Sequence, residues 1–128
     1  MYIRFVVNSL DEDSGRRLGL FQISSTLREA GELTHDEEIQ LLEIRRWFNE
    51  HLEKPESFTT SSKPHALGVA LSWFKDTAKE HIAKMYAISS IIEMHGSHVD
   101  ILRTNRPGYI VYEDENQITA EPYADTPT

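Results

Sequence analysis

The stretch Thr34-His35-Asp36-Glu37 most constrains how this chain can fold. It fits a capping box: the Thr hydroxyl accepts from the third helical N–H, and the Glu carboxylate reaches back to the Thr N–H. Asp36, Glu37 and Glu38 then sit at the positive end of the helix dipole. Leu41, Ile44, Phe48 and Leu52 follow as a stripe, broadened by Ile39, Leu42 and Trp47, and Pro55 comes after the end. A helix marked this clearly at both ends has one apolar face, and the rest of the chain must supply what that face packs on.

The flanking elements follow from periodicity. Residues 2–8 are β-rich and predict a strand. Ser14 can cap a helix over about 15–30, where Leu20, Ile23, Leu27 and Ala30 recur at helical spacing and Gly31 offers a left-handed exit. Joined by a short loop, these two helices should form an antiparallel hairpin. Residues 54–65, KPESFTTSSKPH, carry two prolines and a Ser/Thr cluster and read as a surface loop. Residues 66–74, ALGVALSWF, can be read two ways. They alternate as a strand, or they start a heptad running on into residues 78–92. Thr77-Ala78-Lys79-Glu80 looks like a second capping box, which favours a strand followed by a new helix over about 78–95, ended by Gly96.

Residues 98–104 predict another strand. Arg106-Pro107-Gly108-Tyr109 has Pro and Gly where a type II turn wants them. YIVYE and QITAE then form a hairpin through Asp114-Glu115-Asn116, with Asn116 in the left-handed conformation. The order β-α-α-β-α-β-β-β predicts an α+β fold with a mixed sheet of five strands, packed against three helices. The strand–helix–strand around the third helix implies a parallel pair with a right-handed crossover, and the last three strands an antiparallel meander. Tyr109 to Tyr112 is apolar on both faces and should be central. Residues 1–122 make one domain, with 123–128 as a loose tail.

Composition removes several chemistries. The chain has no cysteine, which excludes disulfides, zinc–thiolate sites and Cys nucleophiles. Its net charge is −8, and its basic residues form no run beyond Arg16-Arg17 and Arg45-Arg46. Direct nucleic-acid binding is not expected from such a chain, because it needs a basic face. An acidic surface suits basic protein partners instead. No apolar run approaches the roughly 20 residues that span a bilayer, so no membrane association is expected. The N-terminus lacks the basic start and cleavage site of a signal peptide. Phosphate-loop, dinucleotide and nucleophile-elbow glycine motifs are absent, and no cofactor is expected.

The residues that remain are ordinary types in suggestive places. Glu113-Asp114-Glu115 could hold a cation or do acid–base work, but adjacent strand residues point to opposite faces and cannot converge on one ion. Asp114 and Glu115 read as turn chemistry, and Glu113, beside Tyr112, is the one that could face a cleft. His95, His98 and Asp100 have a metal-like spacing, yet a helix end and a glycine separate them, so no metal site is expected. His81 lies on an apolar stripe and reads as a hydrogen-bonded core histidine. Trp47-Phe48 and Trp73-Phe74 read as core. If the third helix linked parallel neighbours, Lys75 and Arg103 would emerge on one side, and Glu113 and Tyr112 could join them around an anionic ligand.

Ser72–His81 (SWFKDTAKEH) and Arg103–Pro122 (RTNRPGYIVYEDENQITAEP) resemble a recurring pattern in small bacterial proteins, a family of the domain-of-unknown-function kind. The likeness extends over most of the chain. It implies a bacterial, cytoplasmic setting and transfers no catalytic residue. Two functions are therefore expected. One is a binding or regulatory protein that docks to a protein partner, as an inhibitor or immunity protein does. The other is a small enzyme or ligand binder with an anion site at Lys75, Arg103 and Glu113. The sequence leaves the oligomeric state open.

Overall fold

The structure is a computed structural model, and it describes residues 1–10, 15, 17–54 and 70–128. The elements are β1 (Tyr2–Leu10), β2 (Arg17–Gly19), α1 (Leu20–Glu29), α2 (His35–His51), β3 (Leu71–Lys75), α3 (Lys79–Met94), β4 (Val99–Thr104), β5 (Tyr109–Glu113) and β6 (Gln117–Glu121). The expected cap Ser14, residues 55–65 of the expected loop and residues 66–69 of the expected strand lie outside the described residues.

The fold is α+β with three helices, but the sheet has six strands and every adjacent pair is antiparallel. This corrects the mixed sheet with its parallel β-α-β unit. β3 and β4 do run in the same direction, since both are antiparallel to β1. They are not neighbours, because β1 lies between them and splits the unit. The C-terminal meander is corrected as well: β5 and β6 pair, but β4 pairs with β1. β5 is not central either. Among the described strands it pairs only with β6, and it is β6 whose five residues are all buried.

Register places each strand. β4 pairs with β1 from Tyr2 to Val7. β3 meets Tyr2 and Ile3, and β2 meets Val6 and Leu10. Both overlap β4 along β1, so both must use the other edge of β1. The order across the sheet is therefore β4-β1-β3-β6-β5, with β2 beyond β3 on the same edge.

Opposed residues share a face and successive residues alternate. Ile3, Phe5, Val7, Phe74, Val99 and Ile101 face the helices, where they meet Leu20, Leu27, Leu41, Ile44, Phe48, Met85, Ile88 and Ile92. Trp73, Ile118 and Ala120 gather on the opposite face with Tyr2, Leu102 and Ile110. α1 and α2 are antiparallel, as their cross-contacts show: Arg28 meets Glu38, Arg45 meets Ser24, and Phe21 meets Phe48.

The helix ends differ in how they are made. Thr34 Oγ1 accepts from Glu37 N at 3.2 Å and Glu37 Oε1 accepts from Thr34 N at 2.9 Å, as the capping box requires. Thr77 makes no such cap. α3 starts one residue later, behind Ala78, with no side-chain cap bond. α1 starts at Leu20, because the chain before it is β2, and Gln22 accepts from Gly19 N at 3.1 Å. Gly108, at φ +124°, is needed for space as well as conformation: a Cβ there would lie 1.8 Å from Glu121 O. The segment expected to be a loose tail, 123–128, makes contacts. Thr126 Oγ1 donates to Arg106 O at 2.8 Å, and Thr128 O accepts from Arg17 Nε at 3.3 Å.

Thr34→Ala should cost about 1 kcal/mol of stability through the lost cap, and Thr77→Ala less than about 0.5 kcal/mol. Urea midpoints measure both. Gly31 also has a positive φ but nothing near its missing Cβ. Gly31→Ala should therefore cost about 1–2 kcal/mol and Gly108→Ala more than about 3 kcal/mol in the same assay.

Candidate functional site

The expected cluster of Lys75, Arg103, Glu113 and Tyr112 does not assemble. Lys75 Nζ and Glu113 Oε2 meet at 2.6 Å, on the sheet face away from the helices. Arg103 lies opposite Ile3, as Phe74 does, so it projects to the helix face one strand further away. There its Nη2 lies 3.4 Å from Tyr86 OH. Tyr112 shares the helix face but turns its hydroxyl to Asp114, at 2.7 Å. The reason is again β1: inserted between β3 and β4, it separates the two strand ends that a parallel pair would have brought together.

His81, His95 and His98 each have a partner within the protein. His95 Nε2 lies 2.9 Å from Glu37 Oε1, so the residue that caps α2 also holds the end of α3. The Thr34 N–H and then His95 hold the Glu37 carboxyl below its ordinary pKa. His98 lies between Asp100 and Glu93, and Asp100 bonds Arg17 at 2.6 Å through its other oxygen. His95 thus points away from His98 and Asp100, and no metal-holding group of three ligands exists among the described residues. His81 is buried, and its Nε2 lies 2.8 Å from His51 O. A carbonyl only accepts, so Nε2 carries the proton and satisfies one of the open carbonyls at the end of α2.

The acidic run of the last hairpin is organised around Asp114. Its Oδ1 accepts from Asn116 N at 2.8 Å and Gln117 N at 3.0 Å, and its Oδ2 from Tyr112 OH and Gln117 Nε2. Asn116 does not need the left-handed conformation expected of it, since no described non-glycine residue has positive φ. Burial alone would raise the Asp114 pKa. The bonds from Gln117, Asn116 and Tyr112 outweigh burial and hold it below the ordinary value. The same contact to Asp114, with burial and negative charge, pushes Tyr112 up to about 12. Gln117 Nε2 also donates to Glu53 O, tying the hairpin to the chain just beyond α2.

Glu53 and Gln117, which make that tie, both border a cavity of about 540 Å³. The cavity lies beside Arg4 and Phe5, where β3 leaves an edge of β1 and β2 joins the same edge further along. Phe5 and Phe74 line it from the sheet, Leu20 and Phe21 from the start of α1, Phe48 from α2 and Met85 from α3. Leu52, Glu53 and Lys54 form one margin, with Ser72, Trp73 and Gln117 near it. A groove of equal size beside it, between residues 49–54 and 114–116, is lined almost wholly by polar side chains.

No family model, curated protein or solved structure matches this chain. The chemistry of the site therefore rests on its own residues.

Arg45 is the residue that sequence reading passed over. Its Nη2 donates to Phe21 O at 2.7 Å and to the hydroxyls of Ser24 and Ser25, and its guanidinium lies 5.7 Å from the Phe21 ring centroid. No carboxylate pairs with it among the described residues. Its Nε is buried without a hydrogen-bond partner, as is Trp73 Nε1. Burial, and then the nearby charge of Arg28, lower its pKa. The sequence signal was a basic residue one position after Ile44, at the margin of the apolar stripe of α2.

Asp114→Asn keeps the Oδ1 acceptor but loses the acceptor for Tyr112 and Gln117, and should cost about 1.5–3 kcal/mol at neutral pH. The sign with pH follows from the depressed folded pKa. The stabilisation is present above the unfolded value, about 3.9, and is lost as pH falls through the lower folded value. Urea midpoints of wild type and Asp114→Asn should therefore lie apart at pH 7 and approach each other at the acid end.

Proposed function

We propose that this chain is a small-molecule binding protein whose ligand enters the cavity between β2 and β3. The observation that carries the reading is an apolar pocket of about 540 Å³ bordered by Arg45, whose buried Nε has no hydrogen-bond partner and which pairs with no described carboxylate. Buried donors are rarely left unsatisfied, and concave apolar sites with a few convergent polar groups are where small ligands bind. The volume lies within the few hundred to a thousand Å³ usual for such sites.

The reading favours ligand capture over docking of a protein partner, which the net charge of −8 and the helical hairpin suit without pointing to a docking surface. It keeps the expectation of a binding rather than catalytic role, and moves the site away from Lys75, Arg103 and Glu113.

N-phenyl-1-naphthylamine, a neutral dye that brightens on entering an apolar site, tests this. Wild type should bind it saturably with one site per chain. Asn49 is exposed and borders the cavity, so Asn49→Trp should obstruct it without disturbing the fold. Thermal unfolding should be unchanged in that variant and dye binding lost. Dye binding that is absent in wild type, or equal in both proteins, would sink the reading.

A further inference from the structure

We infer that the ligand is an amphipathic anion: an apolar body in the cavity, with a carboxylate or sulfonate-like head held by Arg45. The inference rests on the cavity reading and adds the chemical class of the ligand.

Of the charged residues that border this cavity, Arg4 turns its side chain to the opposite sheet face, and Arg45 and Lys54 stand against Glu53. In a chain of net charge −8, that is a local reversal of sign. Arg45 gives it direction. Its Nη2 is anchored to Phe21 O, Ser24 and Ser25, which fixes the guanidinium plane. Those partners are a carbonyl and hydroxyls, and no described carboxylate neutralises it. An arginine held by neutral acceptors keeps its full charge and has a donor, Nε, still to satisfy. Its charge suits an oxyanion, which would take a charge-assisted bond from an N–H outside the Nη2 anchor.

A neutral ligand would satisfy the donor and leave the charge uncompensated. A cation would be repelled. Phe5, Leu20, Phe21, Phe48, Phe74 and Met85 exclude a purely polar anion such as phosphate, because they would be left without apolar contact. An anion with an apolar body meets both demands.

A matched pair of dyes tests the step. 1-Anilinonaphthalene-8-sulfonate is N-phenyl-1-naphthylamine with one sulfonate added. At low salt, wild type should bind the sulfonate at least about tenfold more tightly than the neutral dye, the lower end for a charge-assisted hydrogen bond. Arg45→Gln should bring the two affinities together by weakening the sulfonate alone. Arg45→Lys should keep part of the preference. A measurement on wild type guards against a variant that fails to fold: the Arg45 Nε–H resonance should shift on adding the sulfonate and stay in place with the neutral dye. If neither dye binds saturably, the cavity reading itself fails. If the neutral dye binds and Asn49→Trp blocks it, but the sulfonate has no advantage or keeps it in Arg45→Gln, the cavity stands and the anion assignment is overturned.

Discussion

The pairing of β1 is the constraint on which the rest of this structure depends. Nine residues long, it is the longest strand, and three others pair with it. β4 covers one edge almost fully. On the other edge β3 takes the first two paired residues and β2 begins at Val6, so the strands diverge. β3 leads on to β6 and β5, and β2 runs straight into α1. Sheet and helix thus part company beside Arg4 and Phe5, and the cavity forms there under α2. The site is a consequence of how strands share an edge, with the lining residues fitted to it.

Two hydrogen bonds anchor the chain at the end of α2, beside that space. His81 reaches His51 O from α3, and Gln117 reaches Glu53 O from the last hairpin. The final carbonyls of a helix have no partner within it, and side chains that supply one also fix where the helix stops. Here the two donors come from a helix and from the sheet, so residues 51–53 are held between layers. Asp114 orients Gln117, and so the acidic run that looked like a chemical site acts one step away, by setting the hairpin that sets the cavity margin.

Local features were legible in the sequence where one residue's chemistry decides them. The Thr34 box, the buried stripe of Leu41, Ile44 and Phe48, and the left-handed Gly31 needed only their neighbours. Strand adjacency was not legible, because it depends on what slides between two elements. Residues 66–74 and 98–104 were read as strands joined by a helix, and the strands found there, 71–75 and 99–104, run in one direction, but nothing local says that β1 inserts between them. The continuous Phe5-Val6-Val7 run, buried on both faces, was the signal for a central strand, and it was in the open. Tyr109 to Tyr112 misled because aromatic residues can cover an edge, as Tyr109 does while largely exposed. β6 was hidden for the opposite reason. Gln117 and Thr119 look like surface residues, and they are buried because Asp114, Glu53 O and Ser72 give them partners.

Lys75 and Arg45 show why charge alone could not find the site. Both are cations beside aromatic residues of the core, and the sequence favours Lys75, which follows Trp73-Phe74 directly. Lys75 meets Glu113 at 2.6 Å, so its charge is spent within the protein, at a partly exposed position where such pairs contribute little. Arg45 is held by three neutral acceptors that orient it without cancelling it. The quantity that separates a structural cation from a recognising one is therefore the presence of a counter-ion, which is a property of the tertiary fold. An acidic protein gains from keeping such a cation in a cavity. Its outer field repels anions at long range, while salt screens that field within about 8 Å at physiological ionic strength. Arg45 is only partly buried, so an anion reaching it would feel a partly screened charge at short range, and selection would rest on contact geometry more than on attraction from a distance.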